Sequence, residues 1–302
     1  MKLAPAAATP TPAAPARPPR RAGGLNLTSL SALYGLTVRQ HLHGRRWIVM
    51  GLLFLLPVGL TVLVRATAPE APPAAIEFMI AFFLIPQALL PLVALVYASG
   101  IIQDEQEDQT LTYLLVRPIP RWALYLVKLL ATLTTTVALT AVFTVLTYAA
   151  IYVGSGAGAA AVARRCATAA AVHGAAVAAY CCLFGLIGLY TRRALVAGIL
   201  YTAVIEGLLA NLPFGLRFVT VIYYARVMAY RSLDFTLTEH GRRADMAAAA
   251  WQFDVQADPG LEGHPTLRTC VLVLAVAGLG CAALGALLCH RREFHVKTPE
   301  GG

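Results

Sequence analysis

Long uncharged apolar runs alternate with short charged breaks along this chain, and the runs set the elements. Residues 78–102 carry no charged side chain, and residues 129–153 carry none either. Each run is long enough to cross a bilayer as a helix, which takes roughly 20 apolar residues. The third span is read as 122–153 around the latter run, and comparable runs at residues 47–64, 167–190, 194–212 and 270–289 bring the expected spans to six. Pro57 interrupts the first span, and Pro86 and Pro91 lie inside the second. A proline frees a backbone carbonyl and bends the helix. Such kinks suit a helix beside a translocation path or one that merely fits its packing.

Residues 27–43 have a different period. Leu30, Leu33, Tyr34, Val38 and Leu42 follow helical spacing, and Asn26, Thr28 or Ser29 can cap the start. Arg39, Gln40 and His41 are read as the opposite face, and Gly44-Arg45-Arg46-Trp47 follows. This predicts an amphipathic helix at the membrane interface. His41 and His43 are two apart and point to different helix faces, so no metal pair is expected. Before this helix, residues 1–24 are Ala, Pro, Thr and Arg without periodicity, and they are expected to be a disordered tail.

The break between the second and third spans has the most unusual order of features. Asp104, Glu105, Glu107 and Asp108 crowd four carboxylates into five positions, followed by an apolar set and Arg117-Pro118-Ile119-Pro120-Arg121. The pattern predicts a short amphipathic helix on the membrane surface, suited to gripping a soluble partner. Residues 213–269 form the longest polar region, and its first part stays apolar and aromatic (Phe218, Val221, Ile222, Tyr223, Tyr224). A partly inserted or interfacial helix followed by a small external cap is expected there. Residues 291–302 form a basic tail.

Inside the spans the polar residues are few. The third carries Thr132, Thr134, Thr135, Thr136, Thr140 and Thr144, whose hydroxyls can bond a carbonyl one turn back and need not line a pore. The fourth is dense in Ala and Gly, which lets helices approach closely, and it contains His173 as a polar packing residue. Glu206 is the carboxylate deepest in an apolar run. An intramembrane acid is a candidate functional group, although one near a helix end can also reach the interface. His173 and Glu206 are the possible intramembrane polar site.

Composition agrees: 58% of the residues are hydrophobic and 13% charged, with a mean hydropathy of +0.68. This is the profile of a polytopic membrane protein. The net charge of +9 raises a nucleic-acid reading, but the basic residues cluster at the ends of apolar runs, as the positive-inside rule requires. No nucleic-acid partner is expected. With both termini cytoplasmic, the inner side receives Arg45, Arg46, Arg117, Arg121, Lys128, Arg192, Arg193, Arg291, Arg292 and Lys297. Arg65, Arg164 and Arg165 fall outside, and the last two are the weak point of this topology. The six cysteines show no CxxC spacing, so no metal or disulfide framework is expected. Heavy use of Ala, and of Arg over Lys, suggests a bacterial source and hence the inner membrane.

The segment after the second span resembles a signature of type-2 ATP-binding-cassette (ABC-2 type) exporter permeases. The residues that carry the resemblance are Asp104, Glu105, Asp108, Thr110, Leu111, Leu114, Leu115, Pro118 and Arg121, with Lys128 further on. The family often has Gly before Thr-Leu, where this chain has Gln109. The resemblance implies an all-α fold of six transmembrane helices with an N-terminal amphipathic helix, a cytoplasmic coupling helix between helices 2 and 3, and an extracytoplasmic region between helices 5 and 6. It also implies a permease domain over residues 25–290, and a coupling helix whose leucines pack into an ATPase subunit while its acids face basic partner residues. The chain has no GxxxxGK[ST] loop, so ATP and Mg would sit in the partner ATPase, and this chain needs no cofactor. A second permease copy would complete the path.

Two other readings compete. A membrane-embedded enzyme would need HExxH, GxSxG or paired acids at depth, and none is present. A membrane anchor that docks an ATPase without transport is compatible with the same sequence.

Overall fold

In a computed structural model the chain is described over residues 27–44, 46–101, 119–191, 193–211, 215–233, 235–239, 242–245 and 263–291. The regular elements among the described residues are helices and one antiparallel hairpin, β1 (Thr236–Glu239) with β2 (Arg242–Asp245), in register Thr236 to Asp245. That hairpin lies within the predicted external cap and was not expected from an all-α reading.

The helices are α1 (Leu27–His43), α2 (Arg46–Thr67), α3 (Pro73–Ala98), α4 (Arg121–Tyr152), α5 (Ala159–Tyr190), α6 (Ala194–Leu208), α7 (Val221–Ser232) and α8 (Leu267–Arg291). Five of them, α2, α3, α4, α5 and α8, are long and apolar enough to cross a membrane. The predicted fifth span is shorter than expected. It comprises α6 and a 3-10 turn at Leu209–Asn211, and a further 3-10 turn at Gly215–Val219 precedes α7. Glycine and β-branched residues give this stretch little drive to continue as one long helix.

The centre of the bundle is α5, which packs against α3, α4, α6, α7 and α8. Its composition explains this position. Ala169, Gly174, Ala176, Ala179, Gly185 and Gly188 are buried, and small residues allow the close approach that holds membrane helices together. A Cβ built on Gly188 would stand 2.5 Å from the Ser99 carbonyl oxygen, whereas one on Gly278 meets nothing nearer than 3.7 Å. Gly188→Ala is therefore expected to destabilise the chain by about 1–3 kcal/mol, and Gly278→Ala to be near neutral. Thermal unfolding of the two purified variants checks this, and equal midpoints would refute the close contact. The α4–α5 connection needs its glycines for another reason: Gly154 and Gly156 have φ of 73° and 71°, which side chains other than glycine adopt at a cost.

Along α4 the threonines form the buried stripe. Thr132, Thr135, Thr136 and Thr147 each donate to the carbonyl four residues back, so these four are satisfied within their own helix. The expectation for α1 was wrong at His41. Leu33, Thr37 and His41 share its buried face, and the His41 ring meets Tyr97 edge-on at 5.1 Å. Leu42, expected on the apolar face, is exposed instead, while Leu33 keeps its expected place. Spacing alone assigned the stripe one position off, because a five-residue apolar set fits two adjacent helix faces.

Candidate functional site

Two buried acids organise the polar interior. The first is Glu77, which a reading by apolar runs had placed in the link before the second span. Pro73 stands at the first position of α3, where its fixed φ suits a helix start and its missing N–H costs nothing. The helix therefore begins five residues earlier, and Glu77 lies inside it with no exposed surface. Its carboxylate accepts hydrogen bonds from Tyr148 at 2.6 Å and Tyr152 at 2.5 Å. Arg165 Nε donates to both of its oxygens and Arg165 Nη2 pairs with Oε2 at 2.8 Å. One acid thus ties the start of α3 to the end of α4 and the start of α5. The same cluster accounts for one troublesome arginine of the topology, since Arg165 is neutralised by Glu77. Arg65 is also engaged at this end, donating to the Val153 carbonyl at 2.6 Å where α4 ends, a favourable place for a cation.

The second acid is Glu206, which is 1% exposed. It does not reach the surface of the bundle. Tyr180, one of its partners, stands ten residues before the end of α5, about 15 Å along the axis. Tyr180 and Tyr201 donate their hydroxyls to it at 2.8 and 2.9 Å. The amides of Val221 and Ile222 donate at 3.0 and 2.9 Å. These are the first two amides of α7, which lacks a side-chain cap of its own. Glu206 therefore acts as the cap from another element, where helix termini favour an anion. Its helix ends in a π-helical stretch, Thr202–Leu208. In an α-helix residues five apart diverge by about 140°, whereas the wider π turn brings Tyr201 over Glu206.

The rest of α7 is more buried than the partly inserted or interfacial helix expected there, with Ile222 to Ala229 all inside. Arg226 is fully buried, lies over the Phe83 ring at 5.2 Å and donates to Gln87 Oε1. Nothing in the spacing of residues 214–230 pointed to an arginine in the core. Its aromatic partner lies well over a hundred residues away in sequence.

His173 is also buried, 1% exposed. Nε2 donates to the Ala81 carbonyl at 2.9 Å. Thr144 Oγ1 lies 3.1 Å from Nδ1 and 2.8 Å from the Thr140 carbonyl, and its single proton serves one of them at a time. His173 and Glu206 share no partner, so the two residues singled out from the sequence do not form one site.

Among the coupling residues, Asp104, Glu105, Asp108, Thr110, Leu111, Leu114, Leu115 and Pro118 lie outside the described residues. Their flanks are described. Arg121 starts α4, and its carbonyl accepts from Cys289 Sγ at 3.3 Å. Lys128 is 4% exposed and donates Nζ to the Ile101 carbonyl at 3.3 Å. The chain just past the end of α3 and the second turn of α4 are thereby joined.

The cysteines form no centre. All six are free, and all but the half-buried Cys281 are buried. No cluster of three or more His, Cys, Asp or Glu able to hold a metal occurs among the described residues. An apolar cleft of about 840 Å³ opens between α5, α6 and α8, lined by Leu186, Tyr190, Leu200, Tyr201 and Leu284.

The family model described as "ABC-2 family transporter protein" matches residues 42–210, more than half of the chain. Glu77, Lys128, Arg165, His173 and Glu206 all fall within the match, and α7 and α8 fall after it. No curated protein matches the chain.

Proposed function

The chain belongs to the ABC-2 family of transporter proteins, and we propose that it is an exporter permease driven by a separate ATPase subunit through residues 103–121. It is a multi-pass membrane protein and a transmembrane subunit of an ABC transporter, not itself the ATPase. The observation that best supports the coupling reading is the Lys128 bond to the Ile101 carbonyl. It joins the chain just past α3 to the second turn of α4, on either side of the acidic segment, giving a load on that segment a direct route into both α3 and α4.

In this proposal Leu111, Leu114 and Leu115 pack in a groove of the ATPase while Asp104, Glu105 and Asp108 face its basic residues. Both termini are cytoplasmic, in the inner membrane of a bacterium. The engagement of Arg65 and Arg165 at the opposite end supports this orientation, because it leaves the inner-end cations to set topology. The interrupted α6 and the buried α7 together supply the crossing that α6 is too short to make alone. Two copies of the permease, or this chain and a related one, enclose the path.

The test is a mild-detergent pull-down of the tagged chain, assayed for bound protein and ATP hydrolysis. A co-purifying ATPase that is lost on Leu111 and Glu105 substitution supports the reading, and a chain that purifies without an ATPase sinks it. Glu105→Lys with Asp108→Lys is expected to remove ATPase binding by at least about tenfold, like-charge contacts costing several kcal/mol, while membrane expression is unchanged. Lost expression would assign the acids to folding.

A further inference from the structure

The stretch Phe78–Leu89 of α3 is π-helical, and in that register each amide reaches the carbonyl five residues back instead of four. The Leu90 amide does so, donating to the Ile85 carbonyl. By the same count the amide of residue 86 belongs to the Ala81 carbonyl, but Pro86 has no N–H to give. A bare carbonyl inside a membrane bundle is costly. His173, on the neighbouring helix α5, supplies the missing donor at 2.9 Å. In an α-helical register the proline would leave the Phe82 carbonyl bare, about 100° further round the axis. A histidine that meets one carbonyl is turned away from the other.

We propose that His173 is the latch of a helix-register switch in α3. With the latch closed, the π register holds the first turns of α3 at the azimuth at which Glu77 meets Tyr148, Tyr152 and Arg165. With it open, α3 relaxes toward the α register and its first turns rotate by about one residue, roughly 100°. Glu77 then leaves its partners, and Met79, now 60% exposed, turns inward. Packed helices of this kind have discrete arrangements and do not deform continuously. On the coupling reading above, this switch carries motion from Ile101, beside the ATPase segment, to Glu77 at the other end of α3. The latch itself needs no ATPase and is tested without one.

Two measurements on the full chain test it, the first in detergent and the second in lipid vesicles. In a double-mutant cycle, His173→Ala lowers the melting midpoint, and the loss is at least about twofold smaller when Pro86→Ala has restored the amide. In the second, a nitroxide is placed at Met79→Cys in a chain whose native cysteines are replaced. Its collision with oxygen in lipid falls in His173→Ala and returns in His173→Gln, whose side-chain amide can donate to the same carbonyl. Equal cost of His173→Ala with and without Pro86→Ala, or a label equally exposed in every variant, would overturn the latch and leave His173 as packing alone.

Discussion

Glu77→Ala is expected to lower the stability of the purified chain by about 3–5 kcal/mol, the cost of breaking a buried ion pair from one side. The change removes three donors' acceptor at once and leaves the Arg165 guanidinium, itself mostly buried, without its acid. The two tyrosine hydroxyls also lose their partner inside the bundle. Replacing both charges, with Glu77→Leu and Arg165→Leu together, should recover much of the loss, because an apolar pair carries no desolvation penalty. Glu77→Gln should fall between, since its carbonyl oxygen still accepts from a tyrosine. Melting midpoints of the four chains decide the matter. A double variant less stable than Glu77→Ala alone would mean that the charges contribute net stability and do not merely compensate each other.

Glu206→Ala should have the next largest effect and a more local one. Four donors converge on this carboxylate, two of them the leading amides of α7. Each donor left bare costs about 1–3 kcal/mol, and since the four share one partner the total should be well below the sum, about 3 kcal/mol. The damage should concentrate in α7, which has no other cap. Hydrogen exchange over residues 221–229 is expected to quicken, while α3, α4 and α5 keep their protection. Glu206→Asp should resemble the alanine change, because the shorter side chain cannot reach both amides and both hydroxyls. A variant that keeps wild-type exchange in α7 yet loses transport would show that the acid serves the path and not the cap.

Much of this architecture was legible in the apolar runs. Spans one to three and the last were placed within about five residues of the ends of α2, α3, α4 and α8, since bilayer thickness demands a long uncharged run and little else meets that demand, whereas the fourth was begun at residue 167, well inside α5 (Ala159–Tyr190). Most of the threonine stripe of α4 was also read correctly as bonded one turn back, although the buried Thr140 hydroxyl finds no partner. The errors have particular causes. Glu77 was counted as a link because charge was taken to end a span, while Pro72-Pro73 was the sign that a helix had already begun. His41 was assigned to the wrong face because five apolar positions fit neighbouring stripes. The fifth span was drawn as one helix because hydropathy does not report register, and α6 passes into a π turn before α7 begins.

What the sequence determined by itself was the membrane class, the rough position of the spans, the family resemblance of the acidic segment, and the presence of a few polar groups too costly to leave bare in lipid. What only the tertiary structure decided was how those groups are met. Glu77 finds Arg165, Glu206 finds the first amides of α7, and His173 finds the carbonyl that Pro86 leaves open. The reason is physical. Crossing a bilayer is a property of one segment and its length, while satisfying a buried acid or carbonyl requires a donor from another helix. That donor's position depends on packing and helix register, and neither is written in the local pattern of the chain.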